Sequence, residues 1–216
     1  MSSLRLTRIL TVTNQKGGVG KTTTCVNLGA ALVEQGKKVL LVDNDPQSNL
    51  TSYLRKNLSQ EDKSTLDELY LLKKPPTLDE ALEKFVRTYQ VGLDLIASDK
   101  ELASVEHYLF TKTDRELTLK KNLFWTMGYY DFVIIDNPPS MGLLNINALC
   151  AADEVFIPLQ TEFFSVEGIA KMQETISLIR ERWNRNLKIG GLIPTQVDAR
   201  KRITTDVLSS LNEHFP

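Results

Sequence analysis

Cysteine is scarce in this chain: only Cys25 and Cys150 occur, far apart and in apolar surroundings. No CxxC pair exists, which excludes the usual zinc-site spacing and a disulfide scaffold. Two buried thiols are expected instead. Long apolar runs are lacking too. Apolar runs such as Val39–Val42 and Phe132–Ile135 have strand length. None approaches the roughly 18 to 20 residues a membrane-spanning helix needs. Met1–Arg8 carries two arginines, and no signal-type apolar run follows it. A cytoplasmic location is therefore expected. Charge of one sign is not in excess: 26 basic and 27 acidic residues leave −1. A globally basic nucleic-acid binder is excluded, but a local basic patch is not. Internal repeats and low-complexity linkers are absent.

What remains is an ordinary globular composition, 42% hydrophobic and 25% charged over 216 residues. That length suits one domain spanning 1–216 with a sizeable core. Short β-branched runs alternate with helical patterns. Arg8–Thr13 reads as a strand, followed by a glycine loop and a helix from Lys21 to about Gln35. Gly36 stands where a helix-ending glycine belongs. Lys38–Asp43, Phe132–Asp136, Glu154–Leu159 and Ile189–Pro194 read as further strands. Runs apolar on both faces suit a parallel sheet covered on both sides. Helices are expected near Asn145–Ala152, Val166–Trp183 and Thr204–His214. The alternation predicts an α/β fold, a doubly wound, mostly parallel sheet flanked by helices. The stretch from about Leu50 to Leu109 is less regular. Lys73-Lys74-Pro75-Pro76 interrupts it, Leu93–Ala97 offers one strand, and the whole reads as an elaboration on the same domain.

The most informative residues are Lys16-Gly17-Gly18-Val19-Gly20-Lys21-Thr22-Thr23. They follow an expected strand and open an expected helix, the context a phosphate loop requires. Glycines let successive backbone N–H groups curl around an anion. The helix start adds its positive dipole end. Lys21 is placed to reach β- and γ-phosphates and Thr22 to ligate Mg²⁺. The loop departs from G-x-x-x-x-G-K-[ST], because Gln15 holds the first glycine position and an extra lysine, Lys16, follows it.

Three carboxylates stand at strand ends. Asp43 and Asp45 belong to Asp43-Asn44-Asp45-Pro46-Gln47, and Asp136 ends a Walker B-like run, Phe132–Asp136. Open α/β sheets bind ligands at the carboxyl ends of their strands. Carboxylates there, beside a phosphate loop, suit Mg²⁺ and a water nucleophile. Any one aspartate alone would read as a turn or cap residue.

These segments, TNQKGGVGKTTTCVNLGAAL, VLLVDNDPQSN, YDFVIIDNPPSMG and NALCAADEVFIPLQTEFFSVEGI, resemble the ParA/Soj partition ATPases in order and spacing. The likeness covers essentially the whole chain. It implies a deviant Walker A loop that binds ATP and Mg²⁺, an ATP-dependent homodimer, non-specific DNA binding at the nucleoid, and hydrolysis stimulated by a ParB-type partner. It implies Lys16 as a lysine that acts across the dimer, Asp45 as the residue positioning the attacking water, and Asp43 and Asp136 as magnesium-site carboxylates. Asn137 stands where Thr or Cys is usual, and Ser48 where Gly is common. No helix-turn-helix region precedes the loop. The family usually continues with another strand and helix beyond a position equivalent to Pro216.

Basic residues concentrate between Arg180 and Arg202. Arg180, Arg182, Arg185, Lys188, Arg200, Lys201 and Arg202 stand against Glu181 and Asp198, seven minus two or +5. Asp198-Ala199-Arg200 resembles the family's D-A-R segment, which points to Arg200, Lys201 and Arg202 for DNA. A related alternative is a MinD-like ATPase on a membrane surface, which would need a C-terminal amphipathic helix. Thr204–His214 is short and contains Asp206 and Glu213, so no membrane contact is expected. A metabolic P-loop enzyme or a nitrogenase-type iron protein is a third class. The iron protein needs a cysteine near Gly142-Leu143, and Cys150 lies beyond that slot.

Overall fold

The computed structural model describes residues 7–55, 58, 63–161, 165–198, 200–202, 204, 205, 207 and 209. Among the described residues, seven strands form one sheet: β1 (Arg8–Val12), β2 (Val39–Asp43), β3 (Val86–Gln90), β4 (Leu93–Ile96), β5 (Phe132–Asp136), β6 (Glu154–Gln160) and β7 (Lys188–Thr195). Their order is β3-β4-β2-β5-β1-β6-β7. Every neighbouring pair is parallel except β3 and β4.

The central strands alternate between two cores. Ile9, Leu40, Val42, Val133 and Ile135 face one, while Leu10, Val39, Leu41 and Ile134 face the other. Because both faces are covered, the strands read as unbroken apolar runs. Helix α1 (Lys21–Glu34) and α2 (Asn49–Leu54) cover the second core. The first lies under α3 (Leu66–Leu71), α4 (Leu78–Lys84), α5 (Leu102–Phe110), α6 (Thr118–Asn122), α7 (Leu143–Ala151) and α8 (Ser165–Arg182). Cys25 and Cys150 are buried free thiols, as expected.

The hairpin β3–β4 was not expected in full. Val91-Gly92 turns it, with Gly92 at φ 86. Of the helix expected over Thr204–His214, residues 204, 205, 207 and 209 are helical and the rest lies outside the described residues. Among the described residues, no helix is long and apolar enough to cross a membrane.

Candidate functional site: a phosphate loop at the strand ends

The carboxyl ends of β1, β2 and β5 lie side by side, since Val12 and Asp43 both pair with Asp136. The chain leaving β1 forms the glycine loop. Asn14 fixes its start by donating to the Pro158 carbonyl at 2.7 Å and accepting from the Lys16 N–H at 2.9 Å. Gly18 and Gly20 take φ 73 and 87, a left-handed backbone that a side chain would strain. A Cβ at Gly17 or Gly18 would meet nothing within 4 Å, so the loop opens to solvent there. Gly20 begins α1 with no side-chain cap and no acidic residue in the first turn. The first N–H groups of that helix are therefore available to an anion.

The loop is braced from the β6–β7 side. The Gly18 carbonyl accepts from Gln196 at 3.0 Å and from Gln160 at 3.3 Å, and the Thr195 hydroxyl donates to the Val19 carbonyl at 2.9 Å. Gln196 holds φ 52 to make this contact. Gln160, Thr195 and Gln196 were missed in the sequence, where they look like ordinary strand-end polars.

Lys21 is buried, and its ammonium donates to the Lys16 carbonyl at 3.2 Å. Burial lowers its pKa, while Asp136 and Asp45 oppose that shift. Asp136 is 1% exposed, yet neither carboxylate oxygen has a well-formed hydrogen bond. Burial pushes its pKa up to about 7; the Thr22 hydroxyl and Lys21 work against the shift, and Asp43 and Asp45 add to it. A buried carboxylate with only weak donors beside it retains the capacity to accept from a cation or a stronger donor. The Cys25 thiol is held well above its ordinary value by burial first and then by Asp136, so it is not a nucleophile here.

Asp43 stands differently from Asp136. Its Oδ2 accepts from the Thr51 N–H at 2.8 Å and hydroxyl at 2.7 Å, and its Oδ1 from the Asp45 N–H at 3.3 Å. The carboxylate expected at the metal thus ties the start of α2 to the end of β2. Asp45 is buried; its Oδ1 accepts from the Gln47 N–H at 2.9 Å and its carbonyl from Ser98 at 2.8 Å.

The basic stretch is not one patch. Lys188 starts β7 and Thr195 ends it. Seven steps at about 3.3 Å make β7 roughly 23 Å long, with Arg180–Lys188 running to its start and Arg200–Arg202 after its end. Arg180 bonds the Leu187 carbonyl, and with Arg185 and Lys188 borders a hollow that also contains Asp153 and Glu154. Arg200, Lys201 and Arg202 follow the end of β7, where Thr195 and Gln196 contact the loop. Arg200 is clasped by Asp198 at 2.9 and 3.0 Å.

A glycine loop opening a helix beside a buried strand-end aspartate, on a doubly wound sheet, defines the P-loop class. The AAA domain family model matches residues 7–189. Sporulation initiation inhibitor protein Soj of Bacillus subtilis is 41% identical over 210 residues, 96% of this chain and 80% of that protein. Chromosome partitioning protein ParA of Caulobacter vibrioides is also 41% identical, over 96% of this chain and 76% of its own length. Among solved structures, cobyrinic acid a,c-diamide synthase from Mycobacterium smegmatis, with bound ATP analog and magnesium, superposes with a TM-score of 0.85 at 39% identity. That match covers 97% of this chain and 83% of the other. The chain belongs to the ParA/Soj family of P-loop ATPases.

Proposed function

We propose that this chain is a partition ATPase that binds ATP and Mg²⁺, dimerises around the nucleotide, holds DNA without sequence preference, and hydrolyses ATP faster with a ParB-type partner. The observation that carries the nucleotide site is the orphaned Asp136 carboxylate beside Lys21, behind an uncapped helix start. Loop N–H groups from Gly17 to Thr23 would cradle the phosphates, and Lys21 would exchange the Lys16 carbonyl for phosphate oxygens. Thr22 and Asp136 would hold Mg²⁺, which when bound neutralises charge on the phosphates. Asp43, already engaged by Thr51, keeps the Asp45 loop in place. Asp45 would orient the attacking water. Lys16, exposed on the loop, would reach a partner's phosphates. Arg200, Lys201 and Arg202 would meet DNA phosphates.

Relatives bearing partition names support this reading, as does the match of the loop and carboxylates to one strand edge. The test is sedimentation of the protein with ADP, with ATP, and with ATP plus DNA, alongside ATP turnover with and without EDTA. An ATP-specific dimer that co-sediments with DNA, and turnover abolished by EDTA, are expected. A monomer in all three conditions would overturn the switch.

A further inference from the structure

The backbone ladder among β1, β5 and β2 ends where Val12 and Asp43 pair with Asp136. One residue further, side chains take over. The Tyr70 hydroxyl donates to Asn44 Oδ1 at 3.0 Å. Asn44 Nδ2 donates to Asn137 Oδ1 at 2.9 Å and to the Leu144 carbonyl at 3.0 Å. Asn137 Nδ2 donates to Thr11 Oγ1 at 2.7 Å and to the Val12 carbonyl at 3.0 Å. All four side chains are buried, none more than 1% exposed. The Asn44 N–H also donates to the Asp136 carbonyl at 2.8 Å.

This line crosses three strand ends, and each carries one part of the site. Asn44 lies between Asp43 and Asp45. Asn137 follows Asp136. Thr11 and Val12 lead into the glycine loop. A side-chain amide offers one oxygen and two N–H donors. Both amides have every one of these groups engaged. Such a network holds its geometry stiffly, and removing one member leaves a buried orphan.

We propose that Asn44 and Asn137 form a matched pair of positioning residues for ATP hydrolysis, fixing the place of Asp45 relative to the phosphate loop. This rests on the assignment of Asp45 to the attacking water. Neither amide belongs to the cradle, so the larger effect of losing either falls on the chemical step and the smaller on nucleotide affinity. A displacement of about 1 Å in a positioned group lowers turnover by as much as roughly a hundredfold.

The test compares Asn44→Ala, Asn137→Ala, the double variant and Tyr70→Phe, with Asp45→Ala beside them. Steady-state ATP turnover, affinity for a non-hydrolysable ATP analogue and thermal midpoint are measured for each. The alanine variants are expected to lose about ten- to a hundredfold in kcat, with analogue affinity within about threefold of the parent. The double variant is expected to be no slower than the slower single, because the two amides act as one unit. Tyr70→Phe, which removes one hydroxyl and keeps the ring in the core, should fold and fall between. A lowered midpoint with unchanged kcat overturns the proposal, and so do losses that multiply in the double variant. If the alanine variants do not fold, unchanged kcat in Tyr70→Phe overturns it. An Asp45→Ala protein with full turnover sinks the underlying assignment instead. An inactive Asp45→Ala beside fully active amide variants sinks only the pair.

Discussion

Lys21 reaches back to the carbonyl oxygen of Lys16 at 3.2 Å, so the two lysines flanking the glycines are joined side chain to backbone. The contact uses nothing of the Lys16 side chain. Lys16→Ala therefore keeps the anchor of Lys21, and nucleotide affinity should stay within about threefold. ATP-dependent dimerisation should be lost. Lys21→Ala should lose ATP affinity itself by more than about tenfold, since a charge-assisted bond to phosphate contributes roughly 1.5–3 kcal/mol. Fluorescent-nucleotide titration and sedimentation separate the two, and normal dimers of Lys16→Ala would remove the cross-subunit role.

Asp45→Ala should stop hydrolysis and leave binding intact. A loss of about 10²-fold or more in kcat is expected for a group acting on the reacting water. The variant should accumulate an ATP-bound dimer, visible by size-exclusion chromatography. Undiminished turnover would return Asp45 to the structural turn it makes with Gln47.

Burial raises Asp43 to about 6 and Asp136 to about 7, against about 3.9 in an unfolded chain. Between those values the native state holds protons that the unfolded state has released. The contribution of these groups to stability therefore falls as pH rises from about 4 through 7. Asp136→Asn should remove its share, melting at or above the parent at pH 8 in the absence of ligand and close to it at pH 4. The gain is about 2–4 kcal/mol at most, from roughly 1.4 kcal/mol for each tenfold change in proton affinity. Stabilisation by ATP and Mg²⁺ should grow between pH 5.5 and 7.5 in the parent and be lost in the variant. Thermal melts across that range decide it; a parent and variant that track each other at every pH would show Asp136 ionised throughout.

Asp198 engages Nε and Nη2 of Arg200 and offsets its charge, leaving Nη1 for other acceptors. Asp198→Asn should raise DNA affinity severalfold, whatever the sequence. Arg200→Ala with Arg202→Ala should lower it and flatten its salt dependence by up to roughly two units of slope. An electrophoretic shift titration at several salt concentrations measures both. Affinity unchanged in all variants would move the DNA surface elsewhere.

Ser48 sits at φ 53 and ψ 36 just before α2. A left-handed backbone costs a non-glycine residue about 1–2 kcal/mol, and glycine gives back about half of that in chain entropy. Ser48→Gly should raise the thermal midpoint by about 1–4 °C, corresponding to roughly 0.5–1 kcal/mol. A lower midpoint would mean that the Ser48 hydroxyl holds the turn.

The buried parallel strands were the most legible part of the chain. Phe132–Asp136 and Val39–Asp43 are apolar on both faces, and the structure places them as adjacent central strands. The phosphate loop was equally plain, because its glycines have one physical use. Val86–Gln90 escaped notice because it alternates Arg87 and Tyr89 with Val86 and Thr88 at the sheet edge, where the apolar signal is diluted. The different states of Asp43 and Asp136 could not be read either. Both end apolar strands, and only the fold shows that Thr51 engages one so fully while the other has no comparable donor. The charge run from Arg180 to Arg202 is divided in the fold, because β7 separates its first four basic residues from Arg200, Lys201 and Arg202, a division that a count of charges does not carry.

The place of β5 governs the order in which the chain can assemble. Strands β1 and β2 are successive in sequence but do not touch; β5 lies between them, pairing Arg8 and Val39 with Phe132. During synthesis, the first two strands and their helix emerge with a slot that stays empty until some ninety further residues have been made. Closing that long loop sets an entropic hurdle that local helix formation does not lower. Asp136 arrives with the same strand, so the last strand to enter the middle of the sheet also delivers the carboxylate behind the phosphate loop. An N-terminal fragment ending before Phe132 would expose the bare edges of two apolar strands, a template for aggregation instead of a nucleotide site.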